Sequence, residues 1–113
     1  MKTLLAALFL SFNVQAMEIY ILNTQIGTTT FKDLLVLEND KGSLTVPGQF
    51  TTPLINFERK EKSMAFDFST LENGAPLKGS YLLHSEDEFN SLQGELIIGS
   101  EHFPITGGRA YAE

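Results

Sequence analysis

Met64-Ala65-Phe66-Asp67-Phe68-Ser69 is the stretch that decides the fold. Met64, Phe66 and Phe68 fall on one side of a period of two, and Ala65, Asp67 and Ser69 on the other. Successive side chains of a strand point to opposite faces, so the segment reads as a half-buried β-strand. The same alternation recurs on both sides of it. Ile19 and Ile21 alternate with Tyr20 and Leu22, Leu44 and Val46 with Ser43 and Thr45, and Ile55 and Phe57 with Leu54 and Asn56. The run 31–37 is continuously apolar in its second half, runs 77–84 and 92–98 follow, and a shorter one covers 102–106. No segment after Ala16 carries an apolar stripe at helical spacing.

Turn chemistry separates these runs: Asn39-Asp40-Lys41-Gly42, Pro47-Gly48, Asn73-Gly74, Ser85-Glu86-Asp87-Glu88 and Gly99-Ser100. Each supplies residues that tolerate or preset turn dihedrals. The charged stretch Glu58-Arg59-Lys60-Glu61-Lys62 reads as a solvated hairpin tip. About eight strands on short connections leave no room for crossover helices, which predicts an all-β, antiparallel, up-and-down meander. Rolling the sheet into a closed or nearly closed barrel would protect its edges, and a two-sheet β-sandwich is the competing solution. Leu77-Lys78-Gly79-Ser80-Tyr81 and Leu92-Gln93-Gly94-Glu95-Leu96 repeat the pattern Leu-x-Gly-x-large apolar. Glycine inside a strand marks a bend or a close backbone approach, which favours the curved, closed form.

The ends and the charge bound the setting. Met1-Lys2-Thr3 precedes an apolar run over 4–12, then Val14-Gln15-Ala16. One cation, an apolar run shorter than the ~20 residues a membrane-spanning helix needs, and small residues before the cut form a signal-peptide pattern. The expected domains are therefore a signal peptide over 1–16 and one β-barrel domain over 17–113, in the periplasm or outside the cell, soluble after cleavage. The chain has no Cys, so neither a lipid anchor on an N-terminal Cys nor a disulfide is open to it, and packing alone must hold the fold. It carries 8 Lys and Arg against 14 Asp and Glu; loss of Lys2 leaves 7 against 14, a charge near −7. Nucleic acid and anionic lipid are disfavoured partners on that balance.

With its even meander, Phe-rich strand, paired Leu-x-Gly strands and late Arg109, the chain resembles small secreted barrels of the lipocalin and avidin type. That resemblance implies a calycin-like barrel over most of residues 18–111. The lipocalin Gly-x-Trp has no counterpart, because the chain has no Trp, and avidin-type biotin sites also use Trp. The resemblance therefore speaks to fold and leaves the ligand open.

Nothing in the sequence points to an enzyme or a cofactor. Ser85 has His84 and Glu86 beside it, but neighbours along a strand face opposite ways, and no Gly-x-Ser-x-Gly elbow or phosphate-cradling Gly loop occurs. His84 and His102 share parity with polar positions and are expected to face solvent at strand ends, without forming a metal site. Phe57, Met64, Phe66, Phe68, Tyr81 and Leu83 are expected on the inner face. There they are expected to fill or nearly fill an eight-stranded barrel, the alternative being that they line an apolar cup closed at one end. Two functions fit. One is a binding protein holding a small apolar molecule at the barrel mouth. The other is an acidic interaction module for a basic protein, such as an inhibitor of a cationic hydrolase, presenting Glu86, Asp87, Glu88 and Glu101. A cavity inside the barrel would favour the first.

Overall fold

The computed structural model describes residues 17–39 and 41–112; the expected signal peptide lies outside the described residues. Nine strands follow one another: β1 (Met17–Ile26), β2 (Thr29–Glu38), β3 (Lys41–Val46), β4 (Phe50–Pro53), β5 (Ile55–Arg59), β6 (Ser63–Glu72), β7 (Ala75–His84), β8 (Ser91–Ile98) and β9 (Glu101–Ala112). They form one antiparallel sheet in the order β4-β3-β2-β1-β9-β8-β7-β6-β5. The two-sheet alternative is therefore set aside.

The ninth strand comes from a split. β4 and β5 sit at opposite edges of the sheet, yet only Leu54 separates them in the chain. The segment 50–59 first pairs with β3 and then crosses to pair with β6, which rolls the sheet into a nearly closed barrel. Beside β4 the seam is bridged by Thr52 Oγ1, which donates to the Ser69 carbonyl at 3.1 Å. The edge strand β4 thus lies against β6, where it does not present a long bare row of backbone groups.

Connections at 27–28, 47–49, 73–74 and 99–100 gather at one end of the barrel, here the upper end. Those at 60–62 and 85–90 lie at the lower end. Asn73-Gly74 is a two-residue hairpin with both φ positive, 52° and 81°, the signature of a type I′ turn. The Met64/Phe66/Phe68 face points inward as the alternation requires; those residues are 1%, 1% and 3% exposed. The run at 102–106 is the core of a longer element, because β9 extends through Gly107 and Gly108, which pair with Leu92 and Ser91 on one side and Leu22 and Ile21 on the other.

The repeated Leu-x-Gly glycines mark close approaches. A Cβ on Gly79 would lie 2.6 Å from the Phe68 ring, and one on Gly94 would lie 1.9 Å from the Leu82 carbonyl oxygen. Only a residue without a side chain lets the walls curve this tightly.

The lower half is packed by Leu22, Leu35, Met64, Phe66, Leu83 and Leu92, all buried. Its end is stopped by the 85–90 loop. Ser85 Oγ accepts from the Phe89 amide at 2.9 Å and donates to Asp87 Oδ1 at 2.7 Å, while Asp87 accepts from Ser91 through its amide at 2.9 Å and its hydroxyl at 2.6 Å. This frame turns Phe89 into the core as a plug. Arg59 lies over its ring, 4.5 Å from the centroid, and reaches Glu18 at 3.1 Å. The charged hairpin thus contributes one residue to the barrel end, while 60–62 form the exposed tip. Arg109 ties the same loop to β9 by donating to Asn90 Oδ1 at 2.8 Å.

Candidate ligand cup

Above the packed half, the inward side chains stop filling the barrel. A cavity of about 220 Å³ opens at the upper end. Its wall is Phe31, Phe50, Phe68, Leu77, Leu96 and Ile98, with Ile26, Val46, Gln49 and Glu72 at the rim and Thr24, Asp33 and Tyr81 at the floor. The register explains this layering. On β1, Thr24 lies one inward step below Ile26; on β2, Asp33 lies one below Phe31; on β7, Tyr81 lies two below Leu77. Phe50 stacks on Phe68 across the barrel seam with centroids 5.8 Å apart, and Phe68 meets Tyr81 at 5.8 Å in a tilted pair.

The floor is polar and buried. Thr24, Asp33 and Tyr81 are 1%, 3% and 1% exposed. The Tyr81 hydroxyl donates to Asp33 Oδ2 at 3.1 Å, and Thr24 Oγ1 donates to the same oxygen at 3.3 Å. Asp33 Oδ1 is buried and receives no hydrogen bond from the protein; among the described residues it is the one buried side-chain polar atom in that state. Burial pushes the Asp33 carboxyl above the usual aspartate value, against the opposing effect of the two hydroxyl donors. Burial pushes the Tyr81 phenol up as well, reinforced by the carboxylate beside it, which keeps its proton in place as a donor. A buried carboxylate at the floor of an apolar cavity, with one oxygen that no protein group donates to, is a recognition element for a hydrogen-bond donor.

Of the residues expected to line a ligand, Phe68 and Tyr81 are in the cup. Met64, Phe66 and Leu83 lie in the packed layer beneath, and Phe57 is half-buried against the core. The interior is neither filled nor empty: the lower half is core and the upper half is cup. Sequence reasoning missed Asp33 and Thr24; in the strand Asp33 takes the inward parity of Phe31 and Leu35.

Two wider depressions, about 500 and 570 Å³, lie on the outer face. One is flanked by Glu58, Lys60, Leu82, His84 and Glu95, the other by Asp67, Lys78 and Ser80. Both mix charges of either sign, and neither holds a buried unpartnered polar atom, so the smaller interior cup is the better site.

The four acids that would form an interaction face do not gather. Glu86, Asp87 and Glu88 are in the lower loop, whereas Glu101 begins β9 at the upper end. Glu86 already contacts Lys62 and His84, and Asp87 is occupied by Ser85 and Ser91. The two histidines each meet a carboxylate, His84 with Glu86 and His102 with Glu95 at 2.8 Å. His84 pairs with Gln93 and His102 with Ile97, which places them at different levels of the barrel, four steps or roughly 14 Å apart along β8. No three His, Asp or Glu converge into a metal-binding group among the described residues. No helix among the described residues is long and apolar enough to cross a membrane. No protein-family model matches the chain, and no curated protein matches it either.

Proposed function

We propose that the protein is an exported small-molecule binding protein whose ligand enters the upper cup and rests on the Thr24–Asp33–Tyr81 floor. One observation carries this reading: an open apolar cavity has Asp33 in its floor, and one oxygen of that buried carboxylate is left by the protein without a donor. A side chain kept only for packing would be apolar at that position, because burying an unpaired polar atom costs about 1–3 kcal/mol. The floor binds rather than reacts. Thr24 and Tyr81 both donate to one oxygen of Asp33, so the carboxylate holds two hydroxyls still, and among the described residues no Lys or His lines the cup. Export agrees with a role in capturing or carrying a molecule met outside the cytoplasm.

The test is a fragment screen read by ¹H–¹⁵N chemical shifts, with Leu77→Trp as a variant that obstructs the cup. Ligands should move the amides of Thr24, Phe31, Phe50 and Tyr81, and lose that effect in Leu77→Trp. Hits confined to the outer face, indifferent to Leu77→Trp, would overturn the reading.

A further inference from the structure

We propose that the cup selects a small organic cation, an alkylammonium with a flat or aromatic body, whose ammonium group donates to Asp33 Oδ1. This inference rests on the cup being the binding site and adds the class of ligand. Charge makes the selection. Among the described residues the lining holds two carboxylates, Asp33 at the floor and Glu72 at the rim, and no Lys, Arg or His. An anion entering would meet two like charges in an apolar wall with nothing to offset them, at separations where a low local dielectric makes repulsion costly. A neutral donor would satisfy the lone pair of Oδ1 but leave the buried charge in place. A cation does both, and charge-assisted hydrogen bonds are the stronger class.

The walls agree with that choice. Phe31, Phe50, Phe68 and Tyr81 present rings around the cavity, and ring faces attract cations as well as apolar bodies. Tyr81 and Thr24 fix Oδ2, which leaves Oδ1 as the oxygen free to accept. Size sets the scale of the ligand. At about 220 Å³ the cup has the room of roughly seven waters, taking ~30 Å³ for each, so the ligand is a single-ring molecule rather than a lipid or a peptide.

A matched pair of probes tests this by calorimetry: 2-phenylethylamine, protonated at neutral pH, and 2-phenylethanol, its neutral counterpart. The amine should bind the wild-type protein roughly tenfold or more tightly than the alcohol, the usual worth of a charged over a neutral hydrogen bond. Asp33→Asn keeps the shape and removes the charge, and should cut that preference to within about twofold. If the alcohol binds the wild type as tightly as the amine, with shifts at the cup residues, the cup stands and the cation preference is wrong. If neither probe shifts cup resonances at millimolar concentration, the cup reading fails and takes this inference with it. The comparison within the wild type does not depend on the variant folding.

Discussion

Tyr81 and Asp33 stand 48 residues apart in the chain and on opposite walls of the barrel, yet the phenol donates to the carboxylate at 3.1 Å. Three strands separate β2 from β7 in one direction round the sheet, counting β1, β9 and β8. The contact therefore spans the lumen and marks the level at which core gives way to cup. It also joins two walls that share no backbone ladder. Tyr81→Phe removes the donor but keeps the ring packed on Phe66, with centroids 4.8 Å apart. It should destabilise the protein by about 1–3 kcal/mol, because a buried carboxylate oxygen loses its better donor. Urea unfolding of the two proteins measures it, and a change below ~0.5 kcal/mol would mean the Tyr81–Asp33 bond does not hold the two walls together.

Asp33 itself should act against stability at neutral pH. Its folded carboxyl is raised above the ordinary value of 3.8, chiefly by burial. The folded state therefore holds its proton to higher pH than the unfolded chain does. Between 3.8 and the raised value the native form binds more protons, so stability falls as pH rises through that window and stays lower above it. Asp33→Asn removes this loss, and its Oδ1 still accepts from Tyr81 and Thr24. The variant should equal or exceed the wild type in stability at neutral pH while losing the cation preference of the cup. A thermal-unfolding series across pH separates the two proteins; parallel curves would sink the claim.

Asp87 should show the opposite trend. Its carboxyl is lowered to about 2, first by the Ser91 hydroxyl, then by the Ser91 amide and Ser85. The stabilisation is present above the unfolded value of 3.8 and lost as pH falls towards about 2. The group is exposed, so the expected readout is local. The Ser91 amide resonance should titrate in that range, and the amides of 85–90 should lose protection from hydrogen exchange with it. In Asp87→Asn the titration should vanish.

Phe66→Ala should cost about 3–5 kcal/mol, the usual loss for a buried Phe. Its neighbour Asp67 faces outward, where the sequence alone would assign it no more than roughly half a kcal/mol. The structure raises that figure. Asp67 accepts from Ser80 at 2.7 Å and from Asn56 at 3.1 Å, and Asn56 sits at positive φ in the irregular part of β5. Asp67→Ala should therefore cost about 1 kcal/mol and loosen β5 from β6. Denaturant midpoints give both values, and a larger loss for Asp67 than for Phe66 would reverse the assignment of faces.

Particular residues explain what could be read from the sequence. The wall carrying Phe66 was legible because its outer positions are small or polar, so the period of two stood out. Asp33 was not, because β2 continues as Leu34-Leu35-Val36-Leu37, apolar on both faces, which hides the parity that would have placed Asp33 inside. Closure at Leu54 was illegible for a different reason. The chain there stays extended and simply changes partners, from β3 to β6, and no local residue preference encodes a partner. The length of β9 was masked by Gly107-Gly108, which have no side chains to continue the alternation past Thr106, yet they make a close strand approach in the barrel, since a Cβ on Gly107 would meet the Ile21 carbonyl oxygen at 2.5 Å.

Gly94 offers the sharpest test of the curved wall. It pairs with Leu83 on β7 and with Ile105 on β9, between two strands it cannot move away from. An added Cβ would lie 1.9 Å from the Leu82 carbonyl oxygen, which is backbone and has no rotamer with which to yield. Gly94→Ala must therefore widen the β7–β8 approach, directly beside Tyr81 and Leu96 at the base of the cup. The expected cost is about 3 kcal/mol, the upper part of the usual range for overpacking. Gly27→Ala provides the contrast. Its Cβ would meet nothing within 4 Å, and only its positive φ of 63° resists the change, at about 1 kcal/mol. Unfolding midpoints should rank Gly94→Ala well below Gly27→Ala. Equal midpoints would mean the barrel is not drawn tight at Gly94, and a wall free to relax there could not hold Tyr81 in register with Asp33 across the lumen.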